Sequence, residues 1–394
     1  MVILMLRIAT YPRLMSKFRT KLYLVRLVSF FLFLLVFTVP AKAANTDISP
    51  VPAEERFEAK VIRIIEEKDV EVLNGVQQPY QSVEVEVLEG RLKGQRVNAD
   101  LGSIVLSNEY QKVRNGDRVI ILRLQKSDGS EQFFVEDAVR RLPLLILSLF
   151  FAAAAVIIGG WRGLTSFVGL VISLVVILFY VVPRIASGEN PVFISVSGSF
   201  VILVTSLYLS HGFSRKTTAA VVGTALSLTL TALLAVFFVN FTKLSGLGSE
   251  DAAFLSILPD VKINLQGLLL GGIIIGALGV LDDVTISQAS YVFELQETNP
   301  NLSSADLYRK GLRIGQDHIA SVVNTLVLAY VGASLPLLLL FTISSGNSFG
   351  DIVNREMMAD EIVRTLVGSI GLIMAVPITT FLSVLMAKKS KNVG

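Results

Sequence analysis

The sequence predicts an all-α polytopic membrane domain of about seven transmembrane helices, preceded by a small extracytoplasmic β-barrel-like domain of OB or SH3 type. Three observations predict it. Only 17% of the 394 residues are charged against 52% hydrophobic, and mean hydropathy is +0.64, whereas soluble chains carry about 25% charge. The apolar residues gather in runs of about 20, enough to cross a hydrocarbon core of about 30 Å. Between residues 50 and 140 the pattern changes to the alternation of half-buried strands.

The N-terminus comes first. Arg7, Arg13, Lys17, Arg19, Lys21 and Arg26 precede the apolar stretch Leu27 to Val39, and Pro40-Ala41-Lys42-Ala43 follows. A basic region, a short apolar core and an Ala-x-Ala ending mark residues 1–43 as a secretory signal cleaved after Ala43, or as an uncleaved signal anchor. Either form exports residue 45 onward.

In residues 50–140, strands are expected at Phe57 to Ile65, Ser82 to Leu88, Arg118 to Leu124 and Gln132 to Glu136. Turn signals fall at Asn74-Gly75, Glu89-Gly90, Asn115-Gly116-Asp117 and Asp128-Gly129. Five or six short strands in so few residues suggest a small barrel. It holds no catalytic cluster, so its expected role is structural or contact-making, with an exported protein or a small ligand as the partner.

The membrane domain, residues 142–387, is expected to hold helices near 142–160, 163–183, 191–210, 217–241, 263–283, 317–343 and 361–387. With residue 45 outside, the inside connections carry Arg162, Arg215, Lys216, Arg309, Lys310, Arg313 and the tail lysines. The outside ones carry Glu250, Asp251, Asp260, Asp351, Glu356, Asp360 and Glu361. That is the positive-inside bias, and it predicts a multi-pass protein of the bacterial plasma membrane with a cytoplasmic C-terminus. The connection 284–316 reads as an amphipathic helical hairpin along the inner surface, broken at Asn299-Pro300-Asn301 and capped again by Ser303 and Ser304.

Chemistry is concentrated on the fifth and sixth helices. Gly267/Gly271 and Gly272/Gly276 are small-xxx-small pairs that let helices approach, within the bundle or across a homo-oligomer. The fifth helix then reaches Asp282 and Asp283, with Thr285 and Gln288 beyond. Ionisable groups at membrane depth are costly and usually face a cavity, an ion path or a partner; the plainer alternative is a pair of solvated headgroup-level caps. On the sixth helix Asp317, Ser321 and Asn324 share one face, with His318 beside it, and Asp317 reads equally well as an N-terminal cap. Asn324, deep in an apolar helix, needs a hydrogen-bonding partner, and Asp282 or Asp283 is the expected one. Together Asp282, Asp283, Asp317, His318, Asn324, Gln288 and Thr285 suit a proton or cation relay.

Several classes fall away. The chain has no cysteine and two histidines, which excludes thiol chemistry and Cys-ligated metals; no metal or cofactor is assigned. A net charge of +3 suggests no nucleic-acid partner. No His-Glu-x-x-His, Gly-x-Ser-x-Gly or Walker run is present, so the expectation is a non-enzyme, with an Asp-based membrane protease as the residual enzymatic alternative. The leading expectation is a transport-type protein, coupled to protons or cations, whose substrate is unknown. The alternative is a non-catalytic assembly factor whose exported domain binds a partner protein.

Two runs carry a resemblance: Gly276-Ala-Leu-Gly-Val-Leu-Asp-Asp-Val-Thr-Ile-Ser-Gln288, and Gly315-Gln-Asp-His-Ile followed by Asn324-Thr-Leu-Val-Leu-Ala-Tyr330. They look like the YibE/F family of multi-pass bacterial membrane proteins, a likeness expected to span the exported domain and all the helices. The last five helices also resemble, distantly, the membrane half of SecD and SecF. That parallel implies a role in proton coupling for Asp283. This chain departs from it in two extra helices, a different exported domain and a missing Asp-Arg pair.

Overall fold

The computed structural model describes residues 55–71, 77–102, 111–125, 130–258, 263–343 and 348–388. The expected signal segment, the Asn74-Gly75 and Asp128-Gly129 turns, Asp260 and the end of the lysine tail lie outside them. The chain divides into two compact units, parted between Ala154 and Ala155.

The first unit is a closed barrel of five strands: β1 (Glu55–Glu71), β2 (Gln77–Val87), β3 (Arg96–Leu101), β4 (Arg118–Gln125) and β5 (Glu131–Ala138), ordered β1-β2-β3-β5-β4. All neighbours are antiparallel except β3 and β5, which pair in parallel through Ala99–Phe133 and Asp100–Phe134. β1 is long because it serves two partners, β4 through Glu55–Lys60 and β2 through Ala59–Glu71. Irregularities between Val61 and Arg63 and between Ile64 and Glu66 bend it as closure requires. The alternation in Ser82 to Val87 sends Val83, Val85 and Val87 inward against Ala59, Val61, Val119, Ile121 and Val135.

Buried Gln81 acts as a substitute strand neighbour, its Oε1 accepting from the Val113 amide at 2.8 Å and its Nε2 donating to the Val113 carbonyl at 3.4 Å. Gly90 has φ 76°, and a Cβ there would meet the Phe57 ring at 2.9 Å, so the Glu89-Gly90 turn admits glycine alone. Outside, arginines and carboxylates form a ladder: Glu55 takes Arg91 and Arg123, and Glu58 takes Arg118 and Arg141. Hydrogen bonds from Arg140 and Arg123 hold the Asp137 and Glu131 carboxyls below their usual range.

The helical elements are α1 (Arg141–Val176), a π-helical turn (Ile177–Val181), α2 (Val182–Ala186), α3 (Pro191–His211), α4 (Arg215–Phe241), α5 (Glu250–Ile257), α6 (Leu265–Thr298), α7 (Ser304–Ala333), α8 (Leu335–Ile343), α9 (Phe349–Val353) and α10 (Glu356–Lys388). Five helical stretches are long and apolar enough to cross a membrane. A sixth results if α7 and α8, bent by 60° at Ser334, form one broken span.

The first of those stretches, Arg141–Ala186, has 46 residues and would measure about 69 Å if straight, over twice a hydrocarbon core. It is not straight. Gly160 sits at φ 56°, ψ −135°, and a Cβ on Gly163 would strike the carbonyl of Ala155, a residue that an unbroken helix would hold about 12 Å away. The helix is broken sharply here, and the stretch counts as one candidate span where the sequence suggests two, so the membrane-length helices number five or six rather than seven.

α6 is the central element. Of its most apolar window 61% is buried, against 22% for Arg141–Ala186. Leu270, Ile273, Ile274, Leu278 and Leu281 are enclosed by α3, α4 and α10. Outer faces carry Leu233, Phe237 and Phe241 of α4 and Phe381 of α10, all exposed, which is what a lipid-facing surface needs. In the connection 284–316 the expected break at Asn299-Pro300-Asn301 and the cap at Ser303 are present, but the first arm is not a separate helix. α6 continues unbroken to Thr298 because Val284, Ala289 and Val292 prolong its buried face, and it ends only at Asn299-Pro300. Ser303 caps α7 by accepting from the Asp306 amide. Asp317 is therefore well inside a helix and is not its cap.

Between helices the contacts are made by hydroxyls set against glycines. A Cβ at Gly223 of α4 would collide with Thr379 of α10. One at Gly371 of α10 would collide with Thr231 of α4, and one at Gly271 of α6 with Ser195 of α3. Gly267 likewise lies against Pro191. The Gly267/Gly271 pair thus seats α6 on α3, whereas Gly272 has nothing within 4 Å.

Candidate functional site

Asp282 and Asp283 are consecutive on α6, so their side chains diverge by about 100° around the helix. Each meets a different set of neighbours. Asp282 is partly buried and points toward α3, where Ser206 neighbours its carboxylate; Oδ1 is buried without a hydrogen-bond partner. Gly169 of α1 lies over the same spot, its added Cβ 3.5 Å from Ser206 Oγ and 3.7 Å from Ser210 Oγ. An unpartnered carboxylate oxygen inside a packed bundle is expensive, and among the described residues neither Lys nor Arg balances it.

Asp283 is exposed on the other side. Its electrostatic partners are His211, the last residue of α3, and His318 of α7. Both histidines of the chain therefore address one carboxylate. The imidazole of His318 is held edge-on to the ring of Tyr291, centroids 6.4 Å apart at 83°. Arg162 and Lys216 act on His211 from the same end of the bundle, so basic residues of separate connections gather around the carboxylate pair.

Thr285 and Gln288 have helix-joining partners. Thr285 Oγ1 lies 2.5 Å from Thr224 Oγ1 of α4 and donates to the Asp282 carbonyl at 3.1 Å. Gln288 is 2% exposed. Its Nε2 donates to the Gly311 carbonyl at 2.8 Å and to Thr380 Oγ1 at 2.7 Å, tying α6 to α7 and α10 at once. The close approach depends on Gly315, where a Cβ would fall 2.6 Å from Gln288 Oε1. These bonds fix the rotation of α6 and hence the directions of both carboxylates.

Asp317 and Asn324 stand apart. Both are exposed on α7, and among the described residues no hydrogen bond joins Asn324 to Asp282 or Asp283. Sequence reasoning also passes over Ser206, Thr224 and Thr380, whose pairing across distant helices leaves no periodic signal. Among the described residues no group of three or more His, Asp or Glu is arranged to hold a metal.

A family model described as YibE/F-like protein matches residues 147–389. The chain belongs to that family. The match takes in both motif runs, from Gly276 to Tyr330, and starts after the barrel, so the YibE/F-like region is the helical part and the expected extension over the exported domain is not included. No curated protein and no solved structure matches the chain.

Proposed function

We propose that this protein is a proton- or cation-coupled membrane transporter in which Asp282 and Asp283 are the coupling groups, with His318 and His211 as exchange partners. The observation that supports this most is the asymmetry of the pair. One carboxylate faces inward with an unpartnered oxygen, and its neighbour is exposed and within electrostatic reach of two imidazoles. Such a step hands a charge from an exposed position to an enclosed one within one residue of helix, and histidine is the side chain suited to exchange protons near neutral pH. Thr285 and Gln288 position the pair, and Asp317 and Asn324, exposed on α7, stay outside the proposed relay.

The charge distribution supports an orientation in the bacterial plasma membrane with residues 45–141 outside and the C-terminus in the cytoplasm, which puts the pair near the cytoplasmic face. The parallel with SecD and SecF, whose membrane carboxylate matches Asp283, supports the same role by motif alone. The proposed role is transport without covalent chemistry.

The test is proton flux in proteoliposomes loaded with a pH-sensitive dye. Asp283→Asn and Asp282→Asn should each lower flux at least tenfold while eluting as folded protein in size-exclusion chromatography. Full flux in Asp283→Asn would sink the reading.

A further inference from the structure

The end of the bundle opposite the carboxylate pair holds another enclosed acid. Asp360, on the first turns of α10, is 7% exposed, and its Oδ1 is buried with no hydrogen-bond partner. Its Oδ2 packs on the Cα of Gly248, where a Cβ would collide with it. It lines a cavity of about 150 Å³ together with Glu361, Arg364, Ser249 and Gly272. The neighbouring Glu356 is by contrast fully engaged. Its Oε1 accepts from the amides of Ser245 and Gly246 at 2.6 and 2.8 Å and from Ser245 Oγ at 2.8 Å.

Gly272 is also the first member of a stripe. Gly272, Gly276, Gly279 and Asp283 follow at steps of four, three and four, the spacing of one helix face, and all are exposed on a helix that is otherwise mostly enclosed. A Cβ at Gly272 or Gly279 would meet nothing within 4 Å, and one at Gly276 would meet Tyr330 Oη at 3.4 Å. The stripe is thus a furrow along α6, with Tyr330 and His318 of α7 on its flank. From Gly272 to Asp283 it runs about 16 Å, half a hydrocarbon core. Tyr330 is in electrostatic contact with Arg364 and Glu361, which links the α7 flank to the cavity.

We propose that the Asp360 cavity is the far-side loading site for protons and that the glycine furrow carries them, through water, to Asp283. This deepens the transport reading and rests on it. Glycine leaves room for a file of water where a large side chain would occupy the groove. The charged groups facing Asp360 are Glu356, Glu361 and Arg364 on its own helix. Tyr330 of α7 reaches Glu361 and Arg364 rather than Asp360, Glu250 and Asp251 open α5, which brings Ala252 to the cavity, and α6 brings only uncharged residues to it. Arg364 on the cavity wall disfavours a divalent cation, whereas a carboxylate beside a guanidinium still exchanges a proton.

The absence of cysteine makes a direct test available. Single Gly272→Cys, Gly276→Cys and Gly279→Cys variants in proteoliposomes are treated with a charged, membrane-impermeant thiosulfonate, with Leu233→Cys on the lipid-facing side of α4 as control. A water-filled furrow should label all three at least tenfold faster than the control, because only a hydrated thiolate reacts. Labelling of Gly279→Cys as slow as the control overturns the proposal. In parallel, Asp360→Asn and Gly279→Leu, whose new side chain enters open space, should lower proton flux at least tenfold, with Asp360→Glu restoring much of it. Flux lost in Asp283→Asn but intact in both of these overturns the furrow and leaves the carboxylate pair standing. No proton flux in the unaltered protein, or flux driven by a sodium gradient alone, overturns the furrow as a proton path, and no flux with either gradient takes the transport reading with it.

Discussion

The barrel and the bundle solve the packing problem with opposite materials. Inside the barrel sit Val83, Val85, Val119, Ile121 and Val135, each at most 2% exposed, branched and apolar. Inside the bundle, close contacts between helices set glycine against hydroxyl, with Gly223 on Thr379, Gly371 on Thr231 and Gly271 on Ser195. Water drives the first assembly, since each buried methylene contributes about 0.8 kcal/mol. Lipid tails are as apolar as leucine, so helices in a bilayer gain little from burying methylenes and associate through close contact and hydrogen bonds instead. The bundle keeps large apolar residues both inside, as Ile273 and Leu281 are, and on its outer faces, as Leu233 and Phe237 are.

That contrast can be broken at three points. The largest effect is expected from Ile121→Ala, which empties a fully buried site and should cost the barrel about 2–5 kcal/mol. Hydrogen exchange should show the loss in β1, β2 and β4 while α6 keeps its protection; an equal loss in α6 would mean that the two cores are not independent. In the bundle the sign reverses, and adding a single methyl is the damaging change. Gly371→Ala should cost about 1–3 kcal/mol by overpacking, read as a lower Tm of the detergent-solubilised protein, and Thr231→Ala in the same chain should recover most of it. The smallest effect is expected from Thr224→Val. It removes the bond to Thr285 at constant shape, for about 0.6 kcal/mol, and a shift as large as that of Gly371→Ala would show that hydroxyl bonding, not close approach, dominates this core.

Much of this architecture was legible in the residues, for physical reasons that differ by region. Val83 to Val87 alternates because one face meets water, so β2 announces itself. β3, Arg96-Val-Asn-Ala-Asp-Leu101, does not: Asn98 and two charged residues hide a strand held by its neighbours on both sides. The carboxylate pair stands out because charge amid apolar residues is costly. Gln288 stands out for the same reason, yet its partners Gly311 and Thr380 lie 23 and 92 residues away, and no local pattern encodes such distances. Asp360 reads as one more acid in an outside connection, since composition cannot show that Gly248 folds over it. His211 looks like a turn residue until α3 and α6 are set side by side.

Gly160 has a consequence beyond the local bend. Every crossing of a bilayer reverses the face at which the next loop emerges, so sidedness depends on whether the number of crossings is odd or even. A positive φ at one position, favourable only for glycine, breaks a helical stretch that would be too long for one crossing if straight. Were that stretch to cross twice rather than once, every later loop would emerge on the opposite face. A residue with a side chain at position 160 would therefore put at risk more than the helix that contains it.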